Sequence, residues 1–103
     1  MHGHNVYFWL KDGLTEKDLQ DFEKGLESLI KMPLALGGYF GKPAATFRPV
    51  VDRSYTYGLH ITFKDTHDED LYQEHQIHTD FVKNHSAKWT RAVVYDIDTV
   101  MKV

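Results

Sequence analysis

The eight residues from His4 to Lys11, HNVYFWLK, constrain the fold of this chain more than any other stretch. Aromatic and branched side chains dominate them and no breaker interrupts them, which is strand chemistry. Side chains alternate across a strand, so Val6, Phe8 and Leu10 share one face with His4, while Tyr7 and Trp9 lie opposite with Asn5 and Lys11. A strand that is apolar on both faces must be covered from both sides.

The rest of the chain predicts what covers one of them. Its 103 residues suit a single domain, taken as 1–103, with one core. At Leu14-Thr15-Glu16-Lys17-Asp18-Leu19 a helix begins: Thr15 caps, an acid follows three residues later, and Leu14 packs on Leu19 as a staple. Leu19, Phe22, Leu26, Leu29 and Ile30 continue at helical spacing until Met32-Pro33, where proline disfavours helical geometry in the residue before it. Residues 35–42, ALGGYFGK, predict a short strand bent at its glycines, and 43–54 a connecting loop with two prolines. Tyr55, Tyr57, Leu59, Ile61 and Phe63 alternate with Thr56, Gly58, His60 and Thr62 and give the clearest strand signal. Thr66-His67-Asp68-Glu69 repeats the capping pattern inside an acidic run, so a second helical region starts near 67, breaks near 75 and runs on as a short helix to about 87. WTRAVVYDID, 89–98, is the last strand.

The order β-α-β-β-α-β is the ferredoxin-like α+β arrangement. Its helices cover only one sheet face, which leaves the Tyr7 and Trp9 side as an apolar patch of the kind that marks an interface. A homodimer packed sheet against sheet is therefore expected. His60, opposite Leu59 and Ile61, falls near that interface rather than in a pocket.

Other partners are disfavoured by charge and hydropathy. Twelve Lys and Arg against 15 Asp and Glu give a net charge of -3, without the basic field that phosphate backbones require. No apolar run spans a membrane and no leader pattern opens the chain. Cysteine is absent, and cytoplasm is the expected location.

Chemistry concentrates in YQEHQIHTDF, where Tyr72, His75 and His78 recur every third residue. On one regular helix they would share an arc of roughly 120° and converge on one pocket. Zinc histidines on a helix usually sit at i and i+4, and no third ligand is specified, although His85, Asp80 or Glu74 lie nearby; no metal is expected. Acid/base chemistry asks less, since an imidazole beside a phenol moves protons without a cofactor. On spacing alone, solvated or structural histidines explain the cluster better, because 7 histidines in a short chain make chance groupings common. His4 either caps the core edge or lines a cavity between sheet and helices. His2, His67 and His85 carry no specific signal, and the Gly-Lys pair in FGKPAATFRP lacks the rest of a phosphate loop.

Taken together, HNVYFWLK, the Tyr72, His75, His78 and Phe81 block, and the ending from Trp89 to Val94-Tyr95-Asp96 resemble the stress-responsive A/B barrel domain (Dabb) family over nearly the whole chain. The resemblance implies a ferredoxin-like fold and a dimer whose two sheets close into a shared barrel. Within that family olivetolic acid cyclase is a cofactor-free polyketide cyclase, and the matching block carries its base to His78 and its partner phenol to Tyr72. His4, Tyr57 and His75 would line or orient the pocket for an unknown small organic ligand. Two departures stand out: Tyr57 occupies the place of a pocket histidine, and Gln76 that of a common proline. Tyr57 is accordingly expected to reshape or fill the cavity. The resemblance leaves open a cofactor-independent acid/base (cyclase- or lyase-like) activity, a non-enzymatic stress or ligand-binding role, and a cofactor-free monooxygenase, because a fold alone does not supply an activity.

Overall fold

The computed structural model describes residues 1–103. Its elements are β1 (His2–Leu10), α1 (Glu16–Ile30), β2 (Gly37–Gly41), β3 (Tyr57–Phe63), α2 (Thr66–Glu74), α3 (Gln76–His85) and β4 (Trp89–Asp98), with a short 3-10 turn at Ser86–Lys88. One four-stranded antiparallel sheet has the order β2-β3-β1-β4, the ferredoxin-like α+β topology.

Local chemistry accounts for most boundaries. Gly13 turns the chain after β1 with φ of 83°, a left-handed conformation that suits glycine. Thr15 Oγ1 then accepts the Asp18 N–H at 3.1 Å while Asp18 Oδ2 accepts the Thr15 N–H at 3.0 Å, so two otherwise unpaired helix donors are satisfied. Asp65 caps α2 by accepting the Asp68 N–H at 2.9 Å. The clear alternation of β3 starts at Tyr57 rather than Tyr55. Tyr55 instead crosses to the helix-free face and packs edge-on against Tyr7, with ring centroids 5.0 Å apart. The loop has not yet become strand there, so the two-residue period that would fix its side does not apply.

The core lies between the sheet and the helices. Phe22, Leu26 and Leu29 of α1 and Phe81 of α3 meet Val6, Phe8, Tyr57, Leu59, Ile61 and Phe63 of the sheet. Phe22 is fully buried, with ring centroids 5.3 Å from Phe8, 5.5 Å from Tyr57 and 5.7 Å from Phe81. Gly25 allows α1 and α3 their close approach, since a Cβ there would sit 2.7 Å from His85 Nε2.

The opposite sheet face carries no helix. Tyr39, Tyr95 and Ile97 on it are 69%, 63% and 62% exposed, around the cluster of Tyr7, Trp9 and Tyr55. The radius of gyration is 14.2 Å, above the about 13 Å of a compact domain of this length. A single sheet with one helical layer, 18 Å along its shortest axis, explains the excess.

Because Phe22 joins α1 to both central strands and to α3, Phe22→Ala should destabilise the fold by about 3–5 kcal/mol. Denaturant unfolding followed by circular dichroism measures this, and a loss under about 1 kcal/mol would contradict the packing described.

Candidate functional site

The break in the second helical region builds the site. After Glu74 the chain turns extended at His75 (φ -68°, ψ 145°) and re-enters a helix at Gln76. His75 serves as the cap of that new helix, its Nδ1 accepting the Ile77 N–H at 3.1 Å. The regular helix that would bring Tyr72, His75 and His78 onto one arc is thus absent. Tyr72 and His78 meet nonetheless, edge to face at 4.8 Å between centroids, because the bend folds α3 back over the end of α2.

These two residues and His4 line a cavity of about 130 Å³ between the β1 and β4 strands and α3. Val6, Phe8, Leu29, Phe81 and Trp89 make most of its wall apolar. Val82 and Val94, 38% and 49% exposed, flank its open side. The His4 ring stands edge-on to Tyr72 at 5.7 Å, and Phe63 backs the phenol at 5.0 Å. Burial is the main reason that His78 is held below the ordinary histidine pKa; the nearby His4 acts in the same direction, and a backbone hydrogen bond with Gln73 opposes both. Burial, followed by the Glu69 carboxylate, pushes the Tyr72 phenol well above its ordinary range. At neutral pH the site therefore holds a neutral imidazole and a neutral phenol, an acceptor and a donor, against an apolar wall.

Tyr57 and His75, expected beside them, do not line this cavity. Tyr57 is 2% exposed and turns toward α1, donating its hydroxyl hydrogen to Glu23 Oε2 at 2.6 Å. It stands on the buried face of β3, where Phe22 and the Glu23 carboxylate receive it, and so it fills core volume instead of enclosing a ligand. His75 is occupied in capping. His60 lies on the helix-free face, with Nδ1 2.8 Å from Asn5 Oδ1 and its ring 5.2 Å from Tyr39.

A second polar cluster adjoins the cavity. His4 Nδ1 lies 2.6 Å from Asp96 Oδ1 and 3.3 Å from Glu69 Oε1. His2, on the same strand face two residues earlier, places Nδ1 2.8 Å from Asp98 Oδ1. Burial disfavours charge on His2, but the hydrogen bond with Asp98 and the charges of Asp96 and Glu69 outweigh it and raise its pKa. Extending the β1 alternation back by two residues would have put His2 beside His4. Glu69 precedes Tyr72 by three residues, one helical neighbour away, so its inward side was also readable; its place in an acidic run disguised it as a solvated helix start.

Residues 3–99 match the family described as Stress responsive A/B Barrel Domain. No curated protein sequence matches the chain. Among solved structures, the Arabidopsis thaliana protein At3g17210 is 18% identical with a TM-score of 0.82, the likeness covering 100% of this chain and 99% of that one. A hydroxynitrile lyase from Passiflora edulis is 19% identical with a TM-score of 0.77, over 98% of this chain and 96% of that one. A dimeric ferredoxin-like protein of unknown function from Thermobifida fusca is 15% identical with a TM-score of 0.76, over 95% and 90% of the two chains. At these identities the likeness to solved structures establishes the fold. The match across 3–99 and the β2-β3-β1-β4 sheet agree, and the chain belongs to the stress-responsive A/B barrel domain (Dabb) family.

Proposed function

We propose that this protein is a homodimer whose cavity carries out cofactor-independent acid/base chemistry on a small carbonyl-related compound. The observation that carries the reading is the contact between a neutral, half-buried His78 and the buried phenol of Tyr72 at the wall of an apolar cavity with an open side. His78 removes a proton from the carbon next to a carbonyl, and the Tyr72 hydroxyl donates to the oxygen on which negative charge develops. An apolar surround strengthens that hydrogen bond, because little water competes with it.

Cavity size narrows the substrate. Drug-sized ligands occupy pockets of about 300–1,000 Å³, whereas a dry apolar cavity of about 150 Å³ holds benzene. At about 130 Å³ this one suits a single ring or a short branched chain. Long polyketide chains would have to leave most of their length outside. The likeness to a hydroxynitrile lyase supports a second substrate class that fits the same volume. With an α-hydroxynitrile, His78 would take the hydroxyl proton as the bond to the nitrile carbon breaks, and cyanide would leave with the electron pair.

Proton exchange into small ketones in deuterated water, followed by NMR, tests the acid/base reading. His78→Ala should slow exchange by about 10²-fold or more and Tyr72→Phe by about 10²-fold. Equal rates for wild type and His78→Ala would remove His78 from the role of base. The sign of the pH dependence also follows: a base works in its neutral form, so kcat/KM should climb with pH and level off above a pKa lower than the ordinary histidine value of about 6.5. A profile that falls on going from pH 6 to 8 would contradict it.

The dimer reading rests on the exposed aromatic face and on the dimeric description of the Thermobifida relative. Sedimentation equilibrium at micromolar concentration should return twice the 12.0 kDa chain mass, and Tyr95→Asp, which places a charge on the exposed apolar face, should shift the protein toward monomer. A monomeric wild type would rule the arrangement out.

A further inference from the structure

Three lone-pair-bearing atoms converge where β1, α2 and β4 meet. His2 Nε2 lies 3.5 Å from Glu69 Oε1 and 3.8 Å from Asp96 Oδ1, and all three atoms fall within 4.8 Å of one another. His2 and Glu69 are 3% and 7% exposed, and His2 Nε2 is a buried polar atom with no hydrogen-bond partner. A proton on Nε2 would find its nearest acceptor at 3.5 Å, too far for a good hydrogen bond, so it would answer the charge without satisfying the donor. We infer that His2, Glu69 and Asp96 form a divalent-cation site of the zinc class.

The geometry fits that class. Ligand bonds of about 2.0–2.2 Å in a tetrahedron put the donor atoms about 3.4 Å apart, close to the two distances measured from Nε2. One imidazole with two carboxylates favours zinc over magnesium or calcium, which prefer all-oxygen shells. The outer contacts are those that metal histidines and carboxylates use. His2 Nδ1–H donates to Asp98 Oδ1 at 2.8 Å, which sets the tautomer that leaves the Nε2 lone pair free. His4 Nδ1, 2.6 Å from Asp96 Oδ1 and 3.3 Å from Glu69 Oε1, holds both carboxylates toward the centre. Asp96 has its side chain 40% exposed, so a fourth position remains open to water. None of the three ligands lines the His78 cavity, although His4 joins the two. The site is thus a clip between a strand start, a helix start and a strand end, and it stands whether or not His78 is a base.

Zinc alone is the probe, with tag-free full-length chain at pH 8, where imidazole is free to ligate. Competition against a chromogenic chelator should give one zinc per chain with micromolar or tighter affinity. His2→Ala and Glu69→Gln should each lose at least tenfold, and Asp98→Ala, which removes only the outer partner, should lose about 10- to 100-fold. His67→Ala, an exposed histidine elsewhere on α2, should bind as wild type does. Zinc should raise the melting temperature of the wild type and not of the near-isosteric Glu69→Gln, a readout that requires no activity. Absence of stoichiometric binding by the wild type would overturn the inference. So would binding that both His2→Ala and Glu69→Gln leave unchanged.

Discussion

Everything in this molecule hangs on β1 as the central strand of the sheet. It pairs along its length with β3 on one side and β4 on the other, from His2 opposite both Phe63 and Asp98 to Phe8 opposite both Tyr57 and Ala92. One set of its side chains, His2, His4, Val6 and Phe8, is buried under the helices; the other, with Tyr7 and Trp9, meets the helix-free side. The register makes residues of distant sequence neighbours by construction. A shift of one residue would turn both histidines out of the interior and the aromatics into it.

That register also grades the interior from one end of β1 to the other. At Phe8 it is a dense aromatic cluster with Phe22, Phe81 and Trp89. Toward His4 it loosens into the cavity bounded by Tyr72 and His78. At His2 it becomes polar, with Asp96, Asp98 and Glu69 closing the end. A buried histidine with three carboxylates around it is costly unless charge is compensated, whereas a lone imidazole in an apolar wall stays neutral. The same residue type is thereby drawn in opposite directions within one layer, its charged form favoured at His2 and disfavoured at His78.

Much of this was readable beforehand because it depends on short-range physics. Thr15 and Asp18 cap α1 through bonds spanning three residues, and the alternation in β1 and from Tyr57 in β3 gives both burial patterns. The interruption near 75 was visible as a weak helical pattern, and His75 proves to be its cap. Tyr55 departs from the alternation because the strand that enforces the period starts only at Tyr57. Tyr57 looked like a pocket wall because resemblance assigns a position, while the direction of its hydroxyl depends on Glu23, 34 residues away. His2 and Glu69 each carried a readable periodicity, but nothing in either local pattern announced the other.

The sequence by itself determined the elements, the faces they bury and the family to which they belong, since propensity, capping and periodicity act within a few residues. Only the tertiary structure decided which polar groups meet. His2, Glu69 and Asp96 come from one end of the chain, its middle and its other end, and the antiparallel pairing of β1 with β4 brings them within 4.8 Å. Tyr72 and His78 face each other through a bend rather than a helical turn, and Tyr57 finds its partner in α1 instead of a cavity. Long-range pairing follows from how whole layers pack, and no local pattern encodes the distance between two side chains that the fold alone makes neighbours.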